Sequence, residues 1–412
     1  MHSEQAAAQQ LSQSLHLNYE QLFKIQRVRN PFPLRSVSYS ALASYLECPW
    51  CTLMRKRKRA PKEPAHYPLM QQTSLFGPGL PDARAIGTIL HTLINLLHAS
   101  NGSLSQEKQA QLLAEPELLA HFIRRDLHAI LQQEGKISLA LTLRDLQYDA
   151  RMLFKTLTEP MLRYQRELMA TDAHVFGVAE RFQLKLSSTR NTFADHSGRG
   201  GYVGLIGEFD QIRLRQVQGN TSFRGTPAII EFKKSLGWKN KEEDKTGNTV
   251  NALAQDTIQP TEAHAMQLMI YWLAFQTLWD TEELVRSQKG MLQELPMQLH
   301  QPLELIIYNF YDGKQYQLFP SDHKEALQAL IECIFYLDWS MKSGYALQSP
   351  EHNCQRAAPL TEMPEHAVQV QVGETLLPAK ECYLLAKAAF EKFKATIRWE
   401  QLPYSVPQKQ TI

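Results

Sequence analysis

Residues 227–233 read Pro-Ala-Ile-Ile-Glu-Phe-Lys, an apolar run that ends in two opposite charges. The run reads as a buried strand, and the period of two along a strand puts Glu231 and Lys233 on one face of it. A carboxylate and an ammonium at the end of such a strand must have partners, because a charge left alone away from water is strongly disfavoured. A second carboxylate is at hand in Gly207-Glu208-Phe209-Asp210, near the middle of the strand before it. Pairing of the two strands would bring Asp210 to Glu231. An acidic residue followed two later by lysine also occurs as a plain solvated strand face, and the apolar approach is what separates the two readings.

Two hard oxygen ligands at one point suit Mg²⁺ or Mn²⁺, and a neighbouring lysine can orient an attacking water and steady charge developing on a phosphate. These residue types therefore point to metal-assisted hydrolysis of a phosphodiester. The segment 261–278 reads as a long apolar helix, and it carries Gln267 and Tyr271 four apart, hence on one face. A core helix accounts for the tyrosine more easily than for the glutamine.

Around this centre the pattern is mixed. Residues 174–186 and 202–214 alternate as two strands of a hairpin about a polar turn ending in Gly200 and Gly201. A polar stretch, 239–259, follows Lys233 and reads as an insertion. Residues 303–310 and 314–319 form a second hairpin through Tyr311-Asp312-Gly313, and helices are expected over 322–341 and 380–399. Earlier in the chain, Ser38 or Ser40 can cap a short helix carrying Leu42, Tyr45 and Leu46 up to Pro49. Further on, Ile86, Leu90, Leu93 and Leu97 recur at helical spacing, so His91, Asn95 and His98 lie on a different stripe of that helix. Residues 105–169 are helical in pattern, with no chemistry legible in them.

The chain has 412 residues and 44 Lys plus Arg against 42 Asp plus Glu, so its net charge of +2 does not by itself select a nucleic-acid partner. Any basic surface must be local, and one run stands out: Arg55, Lys56, Arg57, Lys58 and Arg59, followed by a loop rich in proline. The longest apolar stretch, 266–279, is short of the ~20 residues that span a bilayer. The first thirty residues lack the apolar segment of a secretory signal, and five cysteines do not suggest an exported disulfide scaffold. A cytoplasmic protein is expected. No Gly-x4-Gly-Lys-Ser/Thr loop occurs, so no ATP motor is recognisable.

Taken in order, the pieces are Ser-Tyr-Ser-Ala-Leu-Ala-Ser-Tyr-Leu-Glu-Cys-Pro at 38–49, Gly87-x3-His91, Gly207-x2-Asp210, Glu231-x-Lys233 and Gln267-x3-Tyr271. This order resembles the RecB-like branch of the PD-(D/E)XK nuclease superfamily, including the AddB nuclease domain and the nucleases of CRISPR adaptation. The resemblance covers roughly residues 36–355. It implies an α/β fold with a restriction-endonuclease-like core, a mixed central sheet flanked by helices, and an N-terminal helical region. It also implies His91, Asp210 and Glu231 as metal ligands and Lys233 as the catalytic lysine, with Gln267 and Tyr271 lining the site. Glu180 looks like a further acidic ligand. A histidine beside two carboxylates softens the set, which favours Mn²⁺ over Mg²⁺.

Four regions are expected: a peripheral lead-in (1–35), a mainly helical region with the basic loop and the His91 motif (36–172), the nuclease core (173–345) and a C-terminal helical segment (346–412). Many relatives hold an iron–sulfur cluster through one early and three late cysteines. Cys48 and Cys354 match two of those positions, but no close cysteine pair follows Cys354, so no cluster is expected. Cys48-x2-Cys51 lacks the second pair of a zinc site. In this setting the run from Arg55 to Arg59 would contact the DNA backbone. The resemblance implies single-stranded DNA or DNA ends as substrate, in repair, recombination or defence, with a helicase or other partner protein. The other reading is a DNA-binding subunit of a larger complex that keeps the fold and does not cut.

Overall fold

A computed structural model of the chain describes residues 23–27, 36–49, 52, 83–99, 102–171, 173–188, 202–216, 225–233, 260–279, 303–320, 323–342, 369–372 and 375–402. Its frame is a mixed sheet between two layers of helices. In spatial order the main path runs β1 (Phe23–Arg27), β3 (His174–Ser188), β4 (Tyr202–Gln216), β5 (Gly225–Lys233), β6 (Glu304–Asn309), β7 (Gln315–Pro320) and β10 (Ile397–Gln401), with β2 (Ser36–Ser38) beside β4. The β5–β6 and β2–β4 pairs are parallel and the rest of this sheet is antiparallel. β8 (Gln369–Val372) and β9 (Thr375–Pro378) form a separate two-stranded ribbon.

Each face of the sheet buries its own core. Ile229, Leu305 and Ile307 face α1 (Tyr39–Glu47), α9 (Glu262–Trp279), α10 (His323–Lys342) and α11 (Ala379–Ala395). Ala228, Ile230, Phe232, Ile306 and Tyr308 face the other way. There they meet α2 (Ala83–His98), α3 (Gln106–Ala114), α4 (Pro116–Arg125), α5 (Leu127–Gln133), α6 (Ile137–Gln147), α7 (Ala150–Leu153) and α8 (Glu159–Thr171). Central strands apolar on both faces are what a sheet covered on both sides requires. The architecture is the α/β core with mixed sheet and flanking helices that the resemblance implies.

Two elements differ from the sequence reading. The polar lead-in contains β1, whose Phe23 to Arg27 pair with Ser188 to Leu184 and so occupy an edge of β3 that would otherwise stand open. The final helix stops at Ala395 instead of reaching 399, in a turn where the Thr396 N–H and hydroxyl both donate to the Phe393 carbonyl, at 3.0 and 2.7 Å. The alternating Ile397-Arg398-Trp399 that follows joins the sheet against β7. No helix among the described residues is long and apolar enough to cross a membrane.

Candidate active site

The site forms where β4 parts from β5. The two strands pair from Gln211 to Gln216, and on the same edge of β4 the short β2 pairs at Gly204 to Ile206. Between these stretches the edge is open, and Asp210 fills the gap with its side chain: Oδ2 accepts the Phe232 N–H at 2.9 Å. Asp210 thereby replaces the ladder bond and keeps the strands apart at the point where Glu231 emerges.

A local break in alternation aims it there. Phe182, Leu184 and Leu186 of β3 and Phe209 of β4 face one core, yet Val178, which their alternation would also put there, faces the other. On β4 both Phe209 and Ile212 face the first core, so the odd–even pattern slips by one between them. The slip coincides with Ala179, whose φ of 53° is left-handed, and the register runs from Val178–Gln211 to Glu180–Phe209 with no pairing of Ala179 to Asp210 between. Bulge-like irregularities of this kind redirect side chains beside active sites.

Glu231, Lys233 and Gln267 form one hydrogen-bonded cluster. Lys233 Nζ donates to Glu231 Oε1 at 2.5 Å and to Gln267 Oε1 at 3.0 Å, while Gln267 Nε2 donates to the same Glu231 oxygen at 2.7 Å and to the Tyr271 hydroxyl at 2.8 Å. Glu231 Oε1 is therefore doubly engaged. Glu231 Oε2 is buried and, among the described residues, has no partner. On the other side of Asp210, its Oδ1 lies 3.4 Å from His91 Nδ1, and the His91 ring meets Phe232 edge-on.

The charges are tuned unequally. Burial and then the Asp210 charge push Glu231 up to about 7, against the pull of Lys233. Burial also works to raise Asp210, but His91, the Phe232 N–H and Lys233 outweigh it and hold Asp210 below its ordinary value. His91 is raised, because Asp210 outweighs burial. One carboxylate is thus kept ionised beside another that is costly to ionise, as expected of two buried acidic groups in contact. A divalent cation fits this donor set: it would supply the charge that Glu231 lacks and a partner for Oε2. Among the described residues no group of three His, Cys, Asp or Glu side chains is gathered at metal-binding geometry.

The structure thus brings Asp210, Glu231, Lys233, Gln267, Tyr271 and His91 together. Glu180 lies on β3 opposite Phe209, and its side chain is outside the described residues. So are Arg55, Lys56, Arg57, Lys58 and Arg59, together with Cys51 and Cys354. Cys48 is a buried thiol at the end of α1.

Two neighbours carried no assigned role in the sequence reading. Tyr39 opens α1, and burial together with the Glu231 charge pushes its hydroxyl well above the ordinary value; its place in the Ser38-Tyr39-Ser40 segment was the available signal. His264 lies one helical turn before Gln267. The helices of 105–169, silent in the sequence, hold β4 behind the site. Glu167 of α8 accepts from the fully buried Arg213 at 2.8 Å. Gln211 donates to Tyr164 at 2.7 Å, and the Tyr164 hydroxyl lies 2.8 Å from His98 of α2. The strand that carries Asp210 is therefore tied twice to α8, and through Tyr164 to the helix that carries His91.

The family model of the PD-(D/E)XK nuclease superfamily matches residues 36–356. No curated protein matches the chain.

Proposed function

The chain belongs to the PD-(D/E)XK nuclease superfamily, and from that premise we propose that it is a metal-dependent deoxyribonuclease of the RecB-like branch. It acts as an exonuclease on single-stranded DNA or DNA ends, in repair, recombination or defence such as CRISPR adaptation, beside a helicase or other partner. The observation that carries this reading is the buried, partnerless Oε2 of Glu231 next to the Asp210 carboxylate and the Lys233 ammonium.

In this reading His91, Asp210 and Glu231 hold Mg²⁺ or Mn²⁺, which supplies positive charge for the phosphate oxygens and the acidity needed to generate a nucleophile near neutral pH. The protein groups do the rest. Lys233 has three N–H donors, of which Glu231 and Gln267 take two, leaving one for the attacking water or a phosphate oxygen. Gln267 fixes that direction, because its carbonyl takes Lys233 while its amide bonds to Glu231 and Tyr271. Glu231 Oε1 is anchored, so Oε2 is the oxygen presented to the cation. Preorganised donors of this kind stabilise charge as it develops without reorganising at the moment of reaction.

The test is cleavage of end-labelled single- and double-stranded DNA with Mn²⁺, Mg²⁺ or EDTA, wild type beside Lys233→Ala. Metal-dependent cutting lost on that substitution is expected. Wild type and variant that are equally inactive, yet bind DNA in a salt-dependent way, would make the protein a non-cleaving subunit.

A further inference from the structure

The first turn of α9 carries a histidine that the mechanism above leaves without a task. Thr261 stands just before the helix, and the N–H groups of His264 and Ala265 donate to its carbonyl at 3.0 and 3.2 Å. The contact is returned: the Thr261 N–H donates to His264 Nδ1 at 3.0 Å, and the Thr261 hydroxyl lies 3.2 Å from the same nitrogen. This is the reciprocal half of a capping box, with histidine in the position usual for Glu or Gln. A backbone N–H can only donate, so Nδ1 is the acceptor nitrogen and the neutral ring carries its proton on Nε2. Burial, and then the charge of Lys233, push His264 down to about 4, so the ring stays neutral at the pH of any DNA transaction.

His264, Gln267 and Tyr271 are three and four residues apart, which makes them one stripe of α9. Gln267 on that stripe touches Lys233 at 3.0 Å, and His264 is about 4.5 Å farther along the axis. It is half-buried, and Nε2 has no acceptor among the described residues. A cap requires only an acceptor. The cap leaves a neutral Nε2–H donor free on the stripe whose next residue, Gln267, holds the Lys233 ammonium.

We infer that His264 is a substrate-contacting residue whose Nε2–H donates to a non-bridging phosphate oxygen of the DNA strand lying against Lys233. The inference rests on the nuclease reading above. Lys233 supplies charge and His264 supplies direction, so that the strand is held by one residue of β5 and one of α9.

Capping and substrate contact predict different orders among three variants, measured for thermal stability and for KM and kcat on single-stranded DNA. His264→Glu keeps the capping box but replaces the donor by an acceptor. His264→Ala loses both, and His264→Gln keeps the box with an amide N–H near the position of Nε2. Substrate contact predicts that the Glu variant melts with the wild type while its KM rises tenfold or more. The Ala variant should raise KM about three- to tenfold, the scale of one lost hydrogen bond, and the Gln variant should recover part of that loss. A Glu variant with wild-type KM, or an Ala variant that loses stability but not KM, overturns the inference and leaves the nuclease reading intact. A wild type that cuts no DNA with either metal overturns both.

Discussion

Glu231→Gln is expected to make the metal-free protein more stable, and the size of the gain follows from the site. Burial and Asp210 raise the Glu231 carboxyl from 4.5 to about 7. At ~1.4 kcal/mol per pH unit that difference corresponds to about 3 kcal/mol. The folded state holds the proton more tightly than the unfolded chain does, so the wild type loses this stability as pH rises from about 4.5 to about 7, and above 7 the loss is complete. Glutamine keeps an oxygen for Lys233 and Gln267 and carries no charge to desolvate. In EDTA at pH 8 the variant should therefore unfold at a higher temperature by about 3 °C, given the entropy of unfolding a chain of 412 residues. Near pH 4.5 the two proteins should coincide. Saturating Mn²⁺ should reverse the order, since a cation at about 1,000 times its Kd adds about 4.1 kcal/mol to the protein that binds it, more than the difference it has to overcome. A variant no more stable than wild type at pH 8, or an advantage that does not shrink in acid, would refute the account of Glu231 as a buried carboxylate that is costly to ionise.

Other substitutions probe how the site is held. Glu167→Gln leaves Arg213 buried without its counter-charge and should cost about 3–5 kcal/mol in denaturant unfolding, whereas Arg213→Met with Glu167→Leu should cost less than either single change. Gly207→Ala would drive its Cβ into the Phe182 ring, which packs against Phe209 at 4.9 Å and Tyr271 at 5.7 Å. The expected cost is about 1–3 kcal/mol, with weakened Mn²⁺ binding by calorimetry as the sign that Tyr271 has moved. Ala179→Gly should be neutral or stabilising by up to about 1 kcal/mol, because glycine accepts φ of 53°, while Ala179→Val should destabilise and lower metal affinity by misaiming Asp210.

The residues of the centre were legible because their chemistry breaks local rules. Glu231 and Lys233 end an apolar strand, Gln267 interrupts an apolar helix, and Gly207 precedes Asp210 at a spacing now explained by the ring of Phe182 lying over it. The His91 motif was legible only as part of an ordered set. Residues 105–169 stayed silent because Tyr164 and Glu167 are ordinary helical residues until a strand far along the chain supplies Gln211 and Arg213. The end of the last helix was misplaced because 397–401 takes its strand form from β7, a partner that no local pattern announces.

The amino-acid sequence by itself determined which groups can do the chemistry and which segments alternate as strands or recur as helices, since side-chain type and hydrophobic period are properties of short stretches. Only the tertiary structure decided which oxygen of Glu231 is free, which nitrogen of His264 carries the proton, and that Asp210 turns into a fork between β4 and β5. Those outcomes depend on burial and on hydrogen-bond geometry, from the cap between Thr261 and His264 to bonds such as Phe232 to Asp210 and Gln267 to Glu231 that join separate elements, and that geometry exists only once the chain has folded.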